Sequence, residues 1–220
     1  MPTVFSPAAN LVTKIVLGGA LAGLVTLAGA GWAFPRISYY TGVGYAQPQP
    51  VPFSHEHHVG ELGIDCRYCH TSAEVSANAG FPPTHTCMTC HSQLWTDAPA
   101  LAPVRQSYAT GQPLVWNRVA QLPDYVYFDH HVHVANGVAC VECHGRIDQM
   151  PLTWRAEPFT MDFCVDCHTH PAKAFRPPAM VTRMDWSGVD KDVLRQYGIR
   201  IAAHKGVDPT RLTNCETCHR

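Results

Sequence analysis

FSHEHHVGELGIDCRYCH, residues 53–70, decides the fold of this chain. It closes on Cys66-Arg67-Tyr68-Cys69-His70, and the same Cys-x-x-Cys-His spacing returns at Cys87–His91, Cys140–His144, Cys164–His168 and Cys215–His219. These five motifs use all ten cysteines. Cys-x-x-Cys-His attaches c-type haem: two thioethers hold the porphyrin edge and the adjacent histidine ligates the iron. The expected thioether positions are Cys66, Cys69, Cys87, Cys90, Cys140, Cys143, Cys164, Cys167, Cys215 and Cys218. The expected proximal ligands are His70, His91, His144, His168 and His219. Tetrahedral zinc needs two Cys-x-x-Cys pairs and no histidine after each. A thioredoxin-type pair occurs singly beside a βαβ pattern, which this sequence lacks. A disulfide scaffold leaves the fixed histidine offset unexplained. Five covalent haem c groups are therefore expected.

Working outward, Phe53-Ser54-His55-Glu56-His57-His58 precedes the first two motifs, and Phe128-Asp129-His130-His131-Val132-His133 precedes the next two. Both read Phe-x-His-x-x-His, which indicates a duplicated two-haem module over about 53–91 and 128–168. Histidines three apart on a helical turn project from one side. His55, His58, His130 and His133 are thus the expected distal ligands of four irons, with His57 and His131 pointing elsewhere. The fifth motif lacks such a partner. Met184 is the first candidate and Met150 the second, with Met161, His170 and His204 behind them. A methionine ligand would raise that iron's potential relative to a bis-histidine site. Arg146, Arg155, Arg176 and Arg183 are candidate partners of haem propionates.

Residues 15–35 carry no charge between Lys14 and Arg36, long enough to cross a bilayer. Ala28-Gly29-Ala30 resembles a signal-peptide cleavage site, but the long apolar run favours an anchor. The expected organisation is an anchor over 1–36 (span about 14–35), a proline-rich tether over 37–52 and a pentahaem domain over 53–220. Gly19 and Gly23 have the small-xxx-small spacing that lets membrane helices approach. Haem c matures outside the bacterial inner membrane, so the haem domain is expected on the periplasmic side. Charged residues make up 15% of the chain and the net charge is −1, which excludes the basic signature of nucleic-acid binding. Eighteen prolines and sixteen glycines disfavour a large polypeptide core. The fold class is mainly α with much irregular structure, wrapped on haems. A helix is expected from about Asp190 to Tyr197, stopped by Gly198.

The anchor, the runs PFSHEHHVGELGIDCRYCH and LPDYVYFDHHVHVANGVACVECHGRIDQM and the closing CETCHR resemble the pentahaem subunit of alternative complex III, whose soluble part is of the class III, cytochrome c7-like type. The resemblance implies an electron-transfer subunit, not catalytic alone, in a respiratory assembly that oxidises membrane quinol. It implies as partners an iron–sulfur subunit, quinol-binding multi-helix membrane subunits and a mono-haem cytochrome. The alternative is a stand-alone membrane quinol dehydrogenase feeding a periplasmic reductase. An anion-reducing multihaem enzyme would need an open iron, and all five proximal positions here are histidine.

Overall fold

The computed structural model describes Ser6 and residues 8–219. It divides between Gly42 and Val43 into two units. The first is dominated by α1 (Ala9–Ala33), followed by the short α2 (Ser38–Thr41). Its 25 residues rise about 38 Å at 1.5 Å each, enough for the roughly 30 Å hydrocarbon layer. The stretch Ala9–Arg36 has a mean hydropathy of 1.9 and buries nothing within the chain, so it fits a single-pass membrane anchor. At its far end Arg36 lies 4.8 Å over the Trp32 ring and donates to the Trp32 carbonyl. An aromatic with a basic neighbour suits the membrane interface.

The second unit is a string of short helices and turns: α3 (Cys66–Cys69), α4 (Thr84–His91), α5 (Ala102–Thr110), α6 (His130–Ala135), α7 (Val141–His144), α8 (Met161–Thr169), α9 (Lys191–His204), α10 (Pro209–Leu212) and α11 (Cys215–Cys218). Among the described residues extended pairing is limited to isolated bridges, such as Ala46 with Trp154. The structure is mostly helical, as the composition implies. The proline-rich stretch is fastened to this unit: Gln49 and Pro48 bond Asn117, and Val51 is buried. The Gln49 side chain and the Pro48 carbonyl therefore find partners that a free spacer would leave to water.

Among the described residues, buried apolar side chains are few: Val51, Val104, Ala139, Met150, Ala174, Phe175, Val181 and Met184. Eight such side chains do not make the contiguous core a unit of this length ordinarily has. Phe81, Leu94, Trp95, Val75 and Met161, all close in sequence to the motifs, stay exposed. The polypeptide is thus a set of apolar walls that suits flat apolar groups.

Asp65 starts the first motif helix. Its carboxylate accepts from Arg67 N at 2.9 Å, pairs with the Arg67 guanidinium at 2.8 Å and accepts from Thr182 Oγ1 at 2.9 Å. The Arg67 side chain leads in holding its pKa down to about 2 from an ordinary 3.8. A carboxylate with a depressed pKa stabilises the fold fully above its unfolded value and ceases to do so as pH falls through the folded one. Asp65→Ala should therefore lose about 0.5–2 kcal/mol near neutrality, the range for a lost N-cap. Thermal unfolding will check this: the gap between variant and parent should close between pH 4 and pH 2.

Gly198 does not end a helix. Asp190 caps α9 through Asp192 N and Val193 N, and the helix runs on to His204. Gly198 is buried against the turn Pro171–Lys173, where a Cβ would stand 1.8 Å from the Ala172 carbonyl oxygen. Close packing between two backbones selects glycine here.

Candidate multihaem site

The two Phe-x-His-x-x-His copies fold to nearly one geometry. In the first, Phe53 meets His55 edge-on at 4.9 Å and 86° and stacks on His58 at 4.4 Å and 23°. In the second, Phe128 meets His130 at 4.8 Å and 89° and His133 at 4.5 Å and 25°. The phenylalanine is a wedge that sets two imidazoles at a steep angle, each aimed at a different partner. The first copy is a wide π-helical turn over Glu56–Glu61 and the second is α6. The ring geometry survives the difference because the wedge fixes it.

Three of these four histidines face the histidine of a motif. His58 and His91 have ring centres 6.2 Å apart, His130 and His144 6.4 Å, and His133 and His168 6.1 Å. His55 has His70 as its strongest electrostatic neighbour. An imidazole nitrogen binds a metal at about 2 Å, so two rings on opposite sides of one atom have centres about 6 Å apart. The three measured gaps match that span. Among the described residues no cluster of three or more His, Cys, Asp or Glu is arranged to hold a bare metal ion. Two axial nitrogens with the equatorial ligands supplied by a macrocycle fit this donor set.

The ring nitrogen remote from the gap is engaged in nearly every case. Nδ1 donates to a backbone carbonyl in His58 (Ser54), His70 (Gly80), His91 (Leu94), His130 (Ala77), His133 (Asp129), His168 (Leu212) and His219 (Tyr125). In His55 it is bonded to Thr153 Oγ1 at 2.8 Å. A proton held on Nδ1 leaves the Nε2 lone pair for a metal and locks the ring plane. Burial above all pushes His55 and His144 down to about 4, with neighbouring imidazoles helping, and lowers His58 and His133 as well. All four are therefore neutral at physiological pH, the form that ligates. His144 retains some surface but is densely surrounded.

The ten cysteines form no disulfide. Burial pushes the Cys143 thiol up to about 12 and raises Cys69, Cys87, Cys164 and Cys167. Cys66 is raised by its hydrogen bond to Cys140 and by burial. Such sites disfavour a thiolate and suit an uncharged thioether.

His57 is turned away from the paired rings. It bonds Glu61 at 2.7 Å and stacks on Trp95 at 5.5 Å. His131 is exposed. Met150 and Met184, the methionines expected near the fifth iron, are placed elsewhere. Met150 is packed in the core, and its carbonyl accepts from Glu56 N. Met184 is buried beside a cleft with Cys66, Asp65 and Asp148. The fifth motif is held by Tyr125, Tyr127 and Arg211, a set that shares no residue with those. The flexible thioether side chain serves here as core filler. The four arginines have partners within the chain: Arg146 with Asp148, Arg155 with the Val119 and Gln121 carbonyls, Arg176 with Glu142, and Arg183 with the Asp185 carbonyl. Among the buried side-chain N and O atoms of the described residues, only Nε of Arg176 lacks a hydrogen-bond partner.

Residues 126–220, which hold the third, fourth and fifth motifs, match the family of cytochrome c7 and related cytochrome c. This stretch, under half of the chain, is similar to c7-like multihaem domains. The likeness points to covalently attached haem c, a group that the paired histidines, raised thiols and thin core described above fit. The chain is also 28% identical, over 94% of its length and 93% of the other, to the multiheme cytochrome c subunit of a menaquinone reductase from Nitratidesulfovibrio vulgaris strain Hildenborough. The histidine wedge at residues 53–58, ahead of the matched segment, repeats the one at 128–133.

Proposed function

We propose that this chain carries electrons within a membrane quinone oxidoreductase of the alternative complex III type, with five haem c groups on the periplasmic side of an inner-membrane anchor. Haem supplies reversible one-electron chemistry at iron. The chain's own residues fix each ring by two thioethers, orient the axial imidazoles through Nδ1 and exclude water with short apolar walls. The carrying observation is the set of histidine pairs spaced for one metal atom, nearly every ring locked by a bond at its far nitrogen. Filled axial positions at four motifs direct the site away from substrate chemistry and toward electron exchange. The partners in this reading are an iron–sulfur subunit, quinol-binding multi-helix membrane subunits and a mono-haem cytochrome.

The relative named as part of a menaquinone reductase favours a second reading, in which the same subunit delivers electrons toward quinone. Purification in mild detergent tests both. The expected result is five haems per chain by pyridine haemochrome assay and a set of membrane and periplasmic subunits that travels with it. Quinol-dependent reduction of the haems supports the first direction, and haem-dependent reduction of menaquinone supports the second. Fewer than five haems, or a chain that is isolated alone and oxidises quinol, would overturn the proposal.

A further inference from the structure

The two modules are interlocked. The His130 ring and backbone N both donate to the Ala77 carbonyl, and His131 N donates to Ser76, seven and six residues past His70. In return Glu56 N donates to the Met150 carbonyl, and His55 bonds Thr153, six and nine residues past His144. Each module's histidine turn is seated on the loop that follows the other module's first motif. This reciprocity makes the first and third motifs meet at the centre. Val181 and Thr182 tie the same two motifs, through Cys140 N and Asp65.

The remaining junctions are equally specific. The first and second motifs join through Tyr68 Oη and Thr89 Oγ1 at 2.9 Å, with Cys69 and Cys87 as neighbours. The third and fourth join through the Phe128 wedge, which sets His130 against His144 and His133 against His168. The fourth and fifth join where His168 donates to the Leu212 carbonyl, three residues ahead of Cys215, at 2.9 Å.

We infer that the five haem motifs stand in a row in the order second, first, third, fourth, fifth, so that the first motif is interior and the chain exchanges electrons with other molecules at its second and fifth motifs. The order follows from the duplication: two copies placed first motif to first motif give a palindrome, and the fifth motif extends one arm. This inference rests on the haem-carrying function proposed above, and its test separates the two. Each hand-over along the row oxidises one site by one electron and reduces its neighbour by one. Electrons enter from a reduced donor such as quinol, reached through partner subunits, and leave to a one-electron acceptor.

Charge interactions weaken with separation, so changing the potential of one haem disturbs the titration of its immediate neighbours most. His58→Met raises the potential at the second motif, and NMR of haem methyl signals during stepwise oxidation follows the others. The expected result is a shifted titration at the first motif and none at the third, fourth or fifth. His130→Met, at the third motif, should shift both the first and the fourth. A shift at the third motif from His58→Met as large as that at the first would overturn the order. A density map of the unmodified holoprotein reads the order without any variant, and any sequence of neighbours other than second, first, third, fourth, fifth also overturns it. A parent with fewer than five haems would instead count against the proposed function.

Discussion

The His133→Ala protein will bind one more equivalent of carbon monoxide per chain than the parent, with a matching share of its low-spin spectrum turned high-spin. His133 and His168 flank a 6.1 Å gap with planes 22° apart. His133 Nδ1 donates to Asp129 at 2.7 Å, and His168 Nδ1 donates to Leu212 at 2.9 Å. Both rings thus present Nε2 to the gap. Alanine removes one of the two nitrogens and leaves a hole shaped for a ring, which a diatomic ligand enters readily. Burial lowers the basicity of His133, so the parent ring is neutral at pH 7, the form able to ligate, and the whole effect is expected there. His131→Ala is the matched control. His131 lies two residues away on the same helix but is exposed, and its loss should leave both the spectrum and carbon monoxide binding unchanged. An unaltered spectrum in His133→Ala would remove the proposed axial role. The corresponding change at His58 should act in the same way on the second motif, because its wedge and hydrogen-bond geometry are near copies of those of His133.

What could be read from the sequence is what covalent chemistry dictates locally. A thioether pair and its histidine must sit within one turn, so five motifs and a c7-like helical domain were legible, as was the Phe-x-His-x-x-His repeat. The reason for the phenylalanine was not legible: its role as a wedge between two rings is a matter of angles. Partners distant in sequence were also hidden. His130 finds Ala77, His55 finds Thr153, and the proline-rich stretch finds Asn117, none of which any periodicity announces. The expected placing of Met150 and Met184 near the fifth motif failed to anticipate their packing beside the first module, because a methionine that fills core and one that ligates iron look alike in sequence. Gly198 misled for a related reason. Local propensity scores glycine as a helix stop, whereas the fold uses the missing side chain to let two backbones touch.

That contact leads to the second large effect. Gly198→Ala will destabilise the protein, although alanine improves intrinsic helix propensity by about 1 kcal/mol. The added Cβ would fall 1.8 Å from the Ala172 carbonyl oxygen and 2.8 Å from its carbon. The obstacle is backbone, so no side-chain rotation relieves it, and α9 must move away from the turn Pro171–Lys173. Overpacking of this kind costs about 1–3 kcal/mol or more, which exceeds the propensity gain. For a protein of this size a net loss of 1–2 kcal/mol corresponds to a fall of roughly 2–8 °C in Tm. The damage should reach the site, because α9 leads into α10, and α10 supplies the Leu212 carbonyl that orients His168. Loosening that bond frees the proximal ring of the fourth motif to rotate, so the variant should show a broadened or shifted haem signal at that motif and little change at the second. Gly188→Ala is the control: nothing lies within 4 Å of its added Cβ, and both Tm and spectrum should match the parent. A Gly198→Ala protein as stable as the parent, with the fourth-motif signal unmoved, would show that α9 is not seated as the structure has it.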